Sequence, residues 1–120
     1  MIGKVNLAEK FASFSDHYNP RIAGEVNDAY VKLVKLKGEF VWHSHAAEDE
    51  MFLVVSGRLR MCFRDHAVEI GSGEFIIVPH GIEHKPEADI ETDVMLFEPR
   101  TVRNTGDVVN ERTRAELERI

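Results

Sequence analysis

The sequence contains a single cysteine, Cys62, so no disulfide can form within the chain. A lone cysteine suits a protein from a reducing compartment. The N-terminal stretch MIGKVNLAEKFASF also lacks the apolar region and the small-residue cleavage site of a secretory signal. Together these two absences predict a cytoplasmic protein.

Two other absences exclude classes of partner. No apolar run approaches the roughly 20 residues that a membrane-spanning helix needs, so no membrane partner is expected. The net charge of -6 argues against nucleic acid, because phosphate recognition usually needs a concentrated basic surface. Arginines do recur at positions 58, 60 and 64, but they share one strand face and are interpreted as a solvated outer surface.

Short strands fill most of the chain, which has the length of one domain. Turn residues recur at intervals of about ten residues, a spacing typical of a sandwich or barrel. The stretch RLRMCFR alternates cleanly, with Leu59, Met61 and Phe63 on one face. At least seven strands are predicted, at residues 30–37, 40–45, 50–56, 58–64, 68–70, 74–79 and 93–98. Helices are expected only near the termini, at 7–14 and 111–119.

Potential metal ligands lie close together in the segment HSHAAEDE. Side chains alternate along a strand, so His43 and His45 project from the same face, about 7 Å apart at their Cα atoms. Glu50 begins the next strand, from which its carboxylate can reach the same cation. A fourth donor, His84, follows a turn farther along the chain. The pattern therefore predicts a site of three histidines and one glutamate.

Other residues near these ligands leave alternatives open. Glu48 has the same strand parity as Glu50, but it would lie inside the turn between the two strands. His80 is interpreted as an exposed loop histidine or, alternatively, as a hydrogen-bond donor or proton shuttle at the pocket. His17 and His66 are predicted to lie on the surface.

Two motifs in the sequence resemble those of the cupin family, usually written G(X)5HXH(X)3,4E(X)6G and G(X)5PXG(X)2H(X)3N. The first is matched by Gly38, His43, His45, Glu50 and Gly57. One residue fewer than usual separates its first glycine from its first histidine. The second is matched by Gly73, Pro79, Gly81 and His84, followed by Ala88 in place of asparagine. Because of that replacement, the oxalate oxidation of germin-type members is not expected here.

The resemblance implies an all-β fold, a double-stranded β-helix or jelly-roll barrel with short terminal helices. Residues 1–120 would form one domain, with a core barrel at about 26–100, an N-terminal arm at 1–25 and a C-terminal tail at 101–120. It also implies one divalent metal ion inside the barrel, held by His43, His45, Glu50 and His84. Fe, Mn, Ni and Zn are all compatible with these donor types.

An open metal site predicts binding of a small oxygen-bearing molecule and dioxygenase- or isomerase-type chemistry on it. The pocket around the metal is expected to include Phe52, Met61, Phe63, Phe97 and His80. The alternatives are a non-catalytic module that binds metal or metabolite, and a barrel whose metal only supports the fold. No feature of the sequence identifies a general base.

Three strands are apolar on both faces, since they contain the runs MFLVV, FIIV and VMLF. If Glu50 faces inward, then Met51, Leu53 and Val55 face outward and need cover. A homodimer that packs sheet against sheet is the predicted solution. The alternative is that the N-terminal segment 7–14 folds over this surface.

Overall fold

The computed structural model describes residues 2–120, which form one short helix and seven strands. The helix is α1 (Leu7–Ala12), and the strands are β1 (Arg21–Val26), β2 (Ala29–Glu39), β3 (Glu50–Ser56), β4 (Arg58–Cys62), β5 (Ala67–Gly71), β6 (Phe75–Val78) and β7 (Lys85–Pro99). Asn6 caps α1, because its side-chain oxygen accepts a hydrogen bond from the Glu9 N–H at 3.0 Å. Within this part of the chain, no helix is long and apolar enough to cross a membrane.

All strand pairs are antiparallel, and the strand order is β1-β2-β7-β3-β6. Strand β4 pairs with both β5 and β7. The long strand β7 joins these groups, because its first residues pair with β4 and its later residues lie between β2 and β3. This antiparallel arrangement of strands confirms the prediction of an all-β jelly-roll barrel.

Alternation along the strands decides which side chains form the interior. In β3, Glu50, Phe52 and Val54 are buried, while the residues between them are only partly covered. Val94 and Leu96 of β7 lie opposite Val54 and Phe52 and are buried with them. Removing each such side chain from water contributes about 1.5–3 kcal/mol, so this shared parity specifies the register.

The prediction of a strand at 40–45 is wrong, because only His43 of this segment forms a β-bridge. Phe40 donates its N–H to the Pro86 carbonyl at 3.0 Å. Proline has no N–H to return a hydrogen bond, so the ladder is interrupted there. Pairing resumes at a single antiparallel bridge between His43 and His84.

The predicted C-terminal helix at 111–119 is also wrong, since the structure describes only turns and irregular backbone there. The end of the tail instead pairs with β1. The Ile22 N–H donates to the Glu118 carbonyl at 2.9 Å, and the Ile120 N–H donates to the Ile22 carbonyl at 3.0 Å. A segment this short has little helical stability of its own, so tertiary pairing decides its conformation. The sequence did not indicate β1 as a strand.

The outer face of the sheet is covered on one side only. Helix α1 packs against β2 and buries Phe11, and the Lys35 ammonium lies 5.9 Å from the Phe11 ring centroid. The N-terminal segment therefore covers the β2 side, and not the surface of Met51, Leu53 and Val55 that the alternative interpretation assigned to it. Over β3, β6 and β7 the surface stays open, where Phe75 is 59% exposed, Ile77 53% and Phe97 38%.

Candidate metal centre

A backbone bridge brings two of the predicted ligands together. The His43 N–H donates to the His84 carbonyl at 3.0 Å, and the His84 N–H donates to the His43 carbonyl at 2.9 Å. The two imidazole centroids lie 4.3 Å apart as a result. One antiparallel bridge thus joins the upstream histidine pair to the downstream histidine.

The four predicted ligands form one buried cluster. A nitrogen or oxygen atom from each of them lies within 4.8 Å of the others: His43, His45, Glu50 and His84. None of the four is more than 4% exposed. Glu50 Oε1 lies 3.3 Å from His45 Nε2 and 3.5 Å from His84 Nε2. Imidazole nitrogens and a carboxylate oxygen are donors that divalent transition metals accept.

Backbone carbonyls orient two of the imidazoles. His43 Nδ1 lies 2.9 Å from the Val41 carbonyl oxygen, and His84 Nδ1 lies 2.9 Å from the Ile82 carbonyl oxygen. Because a carbonyl can only accept, each Nδ1 carries the hydrogen and each Nε2 keeps the lone pair that a metal requires. Burial, with the charge of His84 beside it, lowers the pKa of His43 to about 4, so this ring is neutral at pH 7.

Three atoms of the cluster that could coordinate a metal have no hydrogen-bond partner among residues 2–120. They are His45 Nε2, His84 Nε2 and Glu50 Oε1, and all three are buried. Such atoms are rare in folded proteins, because leaving one unpaired costs on the order of 1–3 kcal/mol. One cation at the centre of the cluster would satisfy all three, so the donor set fits a metal ion.

Sequence reasoning missed a second buried carboxylate next to the cluster. Glu98 of β7 is 2% exposed, and Lys32 of β2 is 1% exposed. Lys32 Nζ lies 2.8 Å from Glu98 Oε1 and donates to the Val102 carbonyl at 3.3 Å. Glu98 shares the strand parity of Leu96 and Lys32 that of Val34. That parity was the sequence signal that both side chains face the interior. It was missed because charged residues are usually assumed to face solvent.

Glu98 controls the charge of Glu50. Burial and the neighbouring Glu50 charge raise the pKa of Glu98 well above its usual range, although Lys32 opposes the rise. Burial also acts on Glu50, but the neighbouring Glu98 carboxyl group and the His45 and His84 imidazoles hold its pKa well below its usual range. The arrangement therefore keeps a proton on Glu98 and leaves Glu50 ionised, which is the form that binds a cation.

A cavity of about 30 Å³ opens beside His43 and Glu50. Its other lining residues are Tyr18, Pro20, Val34, Leu36, Phe40, Phe52, Pro86, Leu96 and Asn104. Phe52 is the predicted pocket residue that lies in this wall, with its ring centroid 6.1 Å from that of His84. A volume of this size holds about one water molecule and no metabolite.

The other predicted pocket residues lie elsewhere. Met61 is fully buried in the hydrophobic core, and the Phe63 ring stacks on His66 with centroids 4.9 Å apart. Phe97 does not line the cavity, because the parity of β7 turns it to the outer face. His80 is exposed, and its Nδ1 lies 2.9 Å from an Asp49 carboxylate oxygen. Its position agrees with the interpretation as a loop histidine.

The C-terminal tail packs against one side of the cavity. The Asp107 N–H donates to the Ser44 carbonyl at 3.0 Å. Gly106 has a φ of +60° and lies so near that a Cβ atom there would overlap the Ser44 carbonyl oxygen. Only glycine permits this approach. Since Asn104 of the same segment lines the cavity, the tail covers part of it.

The structure separates Glu50 from its competitor Glu48. Glu48 lies in the turn, where its Oε2 accepts a hydrogen bond from the Thr101 hydroxyl at 2.6 Å. We predict that Glu50→Gln lowers metal affinity roughly 10- to 100-fold, because it removes a donor or its immediate support, and that Glu48→Gln changes affinity little. Calorimetric titration with Co(II) measures both. A larger loss in Glu48→Gln than in Glu50→Gln would place the ligand in the turn.

Comparisons with known proteins agree with this geometry. The family model described as Cupin domain matches residues 30–99. The uncharacterised protein YdbB of Bacillus subtilis (strain 168) is 33% identical over 87 residues, which are 72% of this chain and 71% of that protein.

Two solved structures illustrate the range of similar folds. A cupin-2 domain containing protein from Shewanella frigidimarina NCIMB 400 is 47% identical, with a TM-score of 0.79 over 80% of this chain and 94% of that one. The hydroquinone 1,2-dioxygenase PnpCD, solved in complex with Cd²⁺ and 4-hydroxybenzonitrile, is 19% identical, with a TM-score of 0.66 over 79% of this chain and 71% of that one. At that identity the likeness concerns the fold alone.

Proposed function

Because this chain belongs to the cupin family, whose domain model matches residues 30–99, we propose that its barrel holds one divalent metal ion and acts there on a small oxygen-bearing molecule. The ligands in this proposal are His43, His45, Glu50 and His84. The observation that carries it is the set of buried donor atoms without hydrogen-bond partners in the barrel interior.

The donor set decides what the ion could do. When bound, a divalent metal polarises an oxygen of its ligand as a Lewis acid, which suits dioxygenase- or isomerase-type chemistry. Three imidazoles and one carboxylate supply four donors, whereas Fe(II), Mn(II) and Ni(II) accommodate additional oxygen ligands. Zinc in a structural site, by contrast, is usually coordinated by four ligands and leaves no open position. The chain therefore suits an open Fe, Mn or Ni site, or a closed Zn site.

The residues around the ligands supply an apolar environment and a fixed proton. Phe52 and Leu96 form part of the cavity wall and keep water from the cluster. Lys32 holds Glu98 through one carboxylate oxygen, which leaves the rest of that carboxyl group beside Glu50. Glu98 therefore keeps its proton at the edge of the site, and Glu50 stays ionised.

A non-catalytic role is the second candidate, and the small volume of the cavity favours it. With about 30 Å³ beside the cluster, no metabolite fits unless the surrounding residues move. A barrel that stores a metabolite on its metal, or that uses the metal only for stability, needs no frequent access. These two roles are distinguished from catalysis by experiment.

The test begins with the metal content of protein purified without added metal, for which we expect about one divalent ion per chain. Fe(II), Mn(II) and Ni(II) forms are then incubated with hydroxy acids and phenols, with and without O₂. Turnover supports the enzyme, whereas binding without turnover supports the metabolite-binding module. Unfolding on metal removal, without ligand binding, supports the structural role. A protein that binds no divalent metal at any metal concentration tested would refute the site altogether.

We also propose that a second copy of this chain covers the open outer face of β3, β6 and β7. Met51 lies opposite both Phe97 and Ile77 in the sheet, so the exposed apolar side chains are contiguous. A groove of about 550 Å³ continues this surface to the β1–β2 turn. Soluble proteins rarely leave an apolar surface of this kind uncovered.

Light scattering at micromolar concentration is expected to give about twice the chain mass of 13.7 kDa. Leu53→Asp introduces a charge at the centre of this face and is expected to lower the mass to that of one chain without loss of metal. Ile90→Asp is the matched control, because Ile90 is 58% exposed and lies on another part of the surface. A wild-type mass near 13.7 kDa would favour the monomer.

A further inference from the structure

Two aromatic rings in the wall of the metal cavity contact one cation, and this part of the wall is called the mouth here. Tyr18 and Phe40 stack with ring centroids 4.7 Å apart and an angle of 8° between their planes. The Arg112 guanidinium carbon lies 5.4 Å from the Tyr18 centroid and 5.7 Å from the Phe40 centroid. Both rings line the cavity. Arg112 therefore places a positive charge beside this part of the cavity wall.

Arg112 has no partner for that charge among residues 2–120. Its guanidinium forms neither an ion pair with a carboxylate nor a hydrogen bond, whereas Arg60, Arg64 and Arg119 each bind carboxylates. A guanidinium that stacks on an aromatic ring still presents its N–H groups in the plane of the fork. The charge is thus held in place with its donors free.

The carboxylates near the mouth are already paired with other cations. Glu39 lies 2.7 Å from Lys85 Nζ, and Glu87 binds both Arg60 and Lys85. None of them neutralises Arg112. The chain as a whole has a net charge of -6, so this cation opposes the overall charge of the protein at one specific place.

The cavity offers no other cation to a charged ligand. Its walls are apolar except for Asn104, the phenol of Tyr18 and the cluster residues His43 and Glu50. Lys32 lies close by, but it is bound to Glu98 and buried. An anionic group that does not itself bind the metal would have to be recognised at the mouth.

The segment that carries Arg112 is also the cover of the cavity. Asn104 holds it in place, since its side-chain N–H donates to the Arg112 carbonyl at 2.7 Å and its oxygen accepts from the Arg114 N–H at 2.8 Å. Because the cavity holds about one water molecule, a larger ligand needs more room, which movement of this segment would provide. On closing, the segment would bring Arg112 back. The cation is therefore positioned to contact a ligand as the cavity closes.

We propose that the ligand of the metal cavity is a small molecule with a carboxylate group outside the metal-binding end, and that Arg112 binds this carboxylate. This inference rests on the proposed function, because it assumes a metal that binds the other end of the molecule. A charge-assisted pair between guanidinium and carboxylate is directional and strong, so it selects anionic over neutral ligands.

The experiment compares malate with lactate on the Co(II)-loaded protein. Both molecules offer a hydroxyl and an adjacent carboxylate to the metal, and malate alone has a second carboxylate. Titrations followed by Co(II) absorbance are expected to give a roughly 10- to 100-fold preference for malate in the wild type. Arg112→Gln is expected to remove this preference by lowering malate affinity to about that of lactate. Arg112→Lys should retain part of the preference, because the charge remains.

Arg114→Gln is the control, since Arg114 is exposed on the same segment but lines a different cavity. It is expected to keep the malate preference. The Co(II) content of every variant is measured first. Full Co(II) content with equal malate and lactate affinity in the wild type, or an undiminished preference in Arg112→Gln, rejects the role of Arg112 and leaves the metal site intact. A wild-type protein that takes up no Co(II) rejects the metal site and this inference together.

Discussion

Replacing His43 or His84 with alanine is expected to lower metal affinity by more than about 100-fold. Changes to groups that merely support a metal ligand cost roughly 10- to 100-fold, and loss of a ligand itself costs more. Both side chains lie in the buried cluster and keep their Nε2 lone pairs directed away from the backbone carbonyls that hold Nδ1. Metal analysis after buffer exchange and calorimetric titration with Co(II) measure the loss.

His17→Ala and His66→Ala are the matched controls, because both residues are exposed and lie outside the cluster. They are expected to bind metal as the wild type does. Circular dichroism of each variant establishes that the barrel is folded. Full metal content in both cluster variants would falsify the assignment of these ligands.

Lys32→Ala is expected to destabilise the metal-free protein by about 3–5 kcal/mol, which is the usual cost of removing one partner from a buried ion pair. The partner of Lys32 is the single negative charge that Glu98 and Glu50 hold between them. Lys32 is 1% exposed and its ammonium lies 2.8 Å from Glu98 Oε1. Without it, two neighbouring carboxyl groups remain in the barrel interior with no cation among their protein contacts. Urea unfolding followed by tryptophan fluorescence measures the change.

The double variant Lys32→Met with Glu98→Gln is expected to recover most of that stability, because it replaces the buried ammonium and carboxyl groups with neutral groups of similar size. Arg58→Ala serves as a surface control. It breaks an exposed ion pair with Glu69, and such pairs contribute little. If Lys32→Ala proves as mild as Arg58→Ala, the Lys32–Glu98 pair does not stabilise the barrel.

The sequence was sufficient for the architecture and for the outline of the site. Strand parity is a local property, so the alternation in RLRMCFR and the outward direction of Leu53 followed directly from residue order. The spacing of His43, His45, Glu50 and His84 was readable for the same reason, and the four side chains do meet in one cluster. They meet although 40–45 is not a regular strand, because the single bridge from His43 to His84 is enough.

The tertiary structure alone decided the features that depend on distant pairing. The tail 111–119 has the composition of a helix, but its backbone groups found partners on β1 instead. Lys32 and Glu98 look like surface residues in the sequence. They are buried because each supplies the other with a polar partner inside the barrel. Arg112 became a candidate binding residue only because the folded tail places it against Tyr18 and Phe40. Periodicity fixes which face a side chain takes within its own strand, whereas contacts between residues 70 or more positions apart arise only when the chain closes.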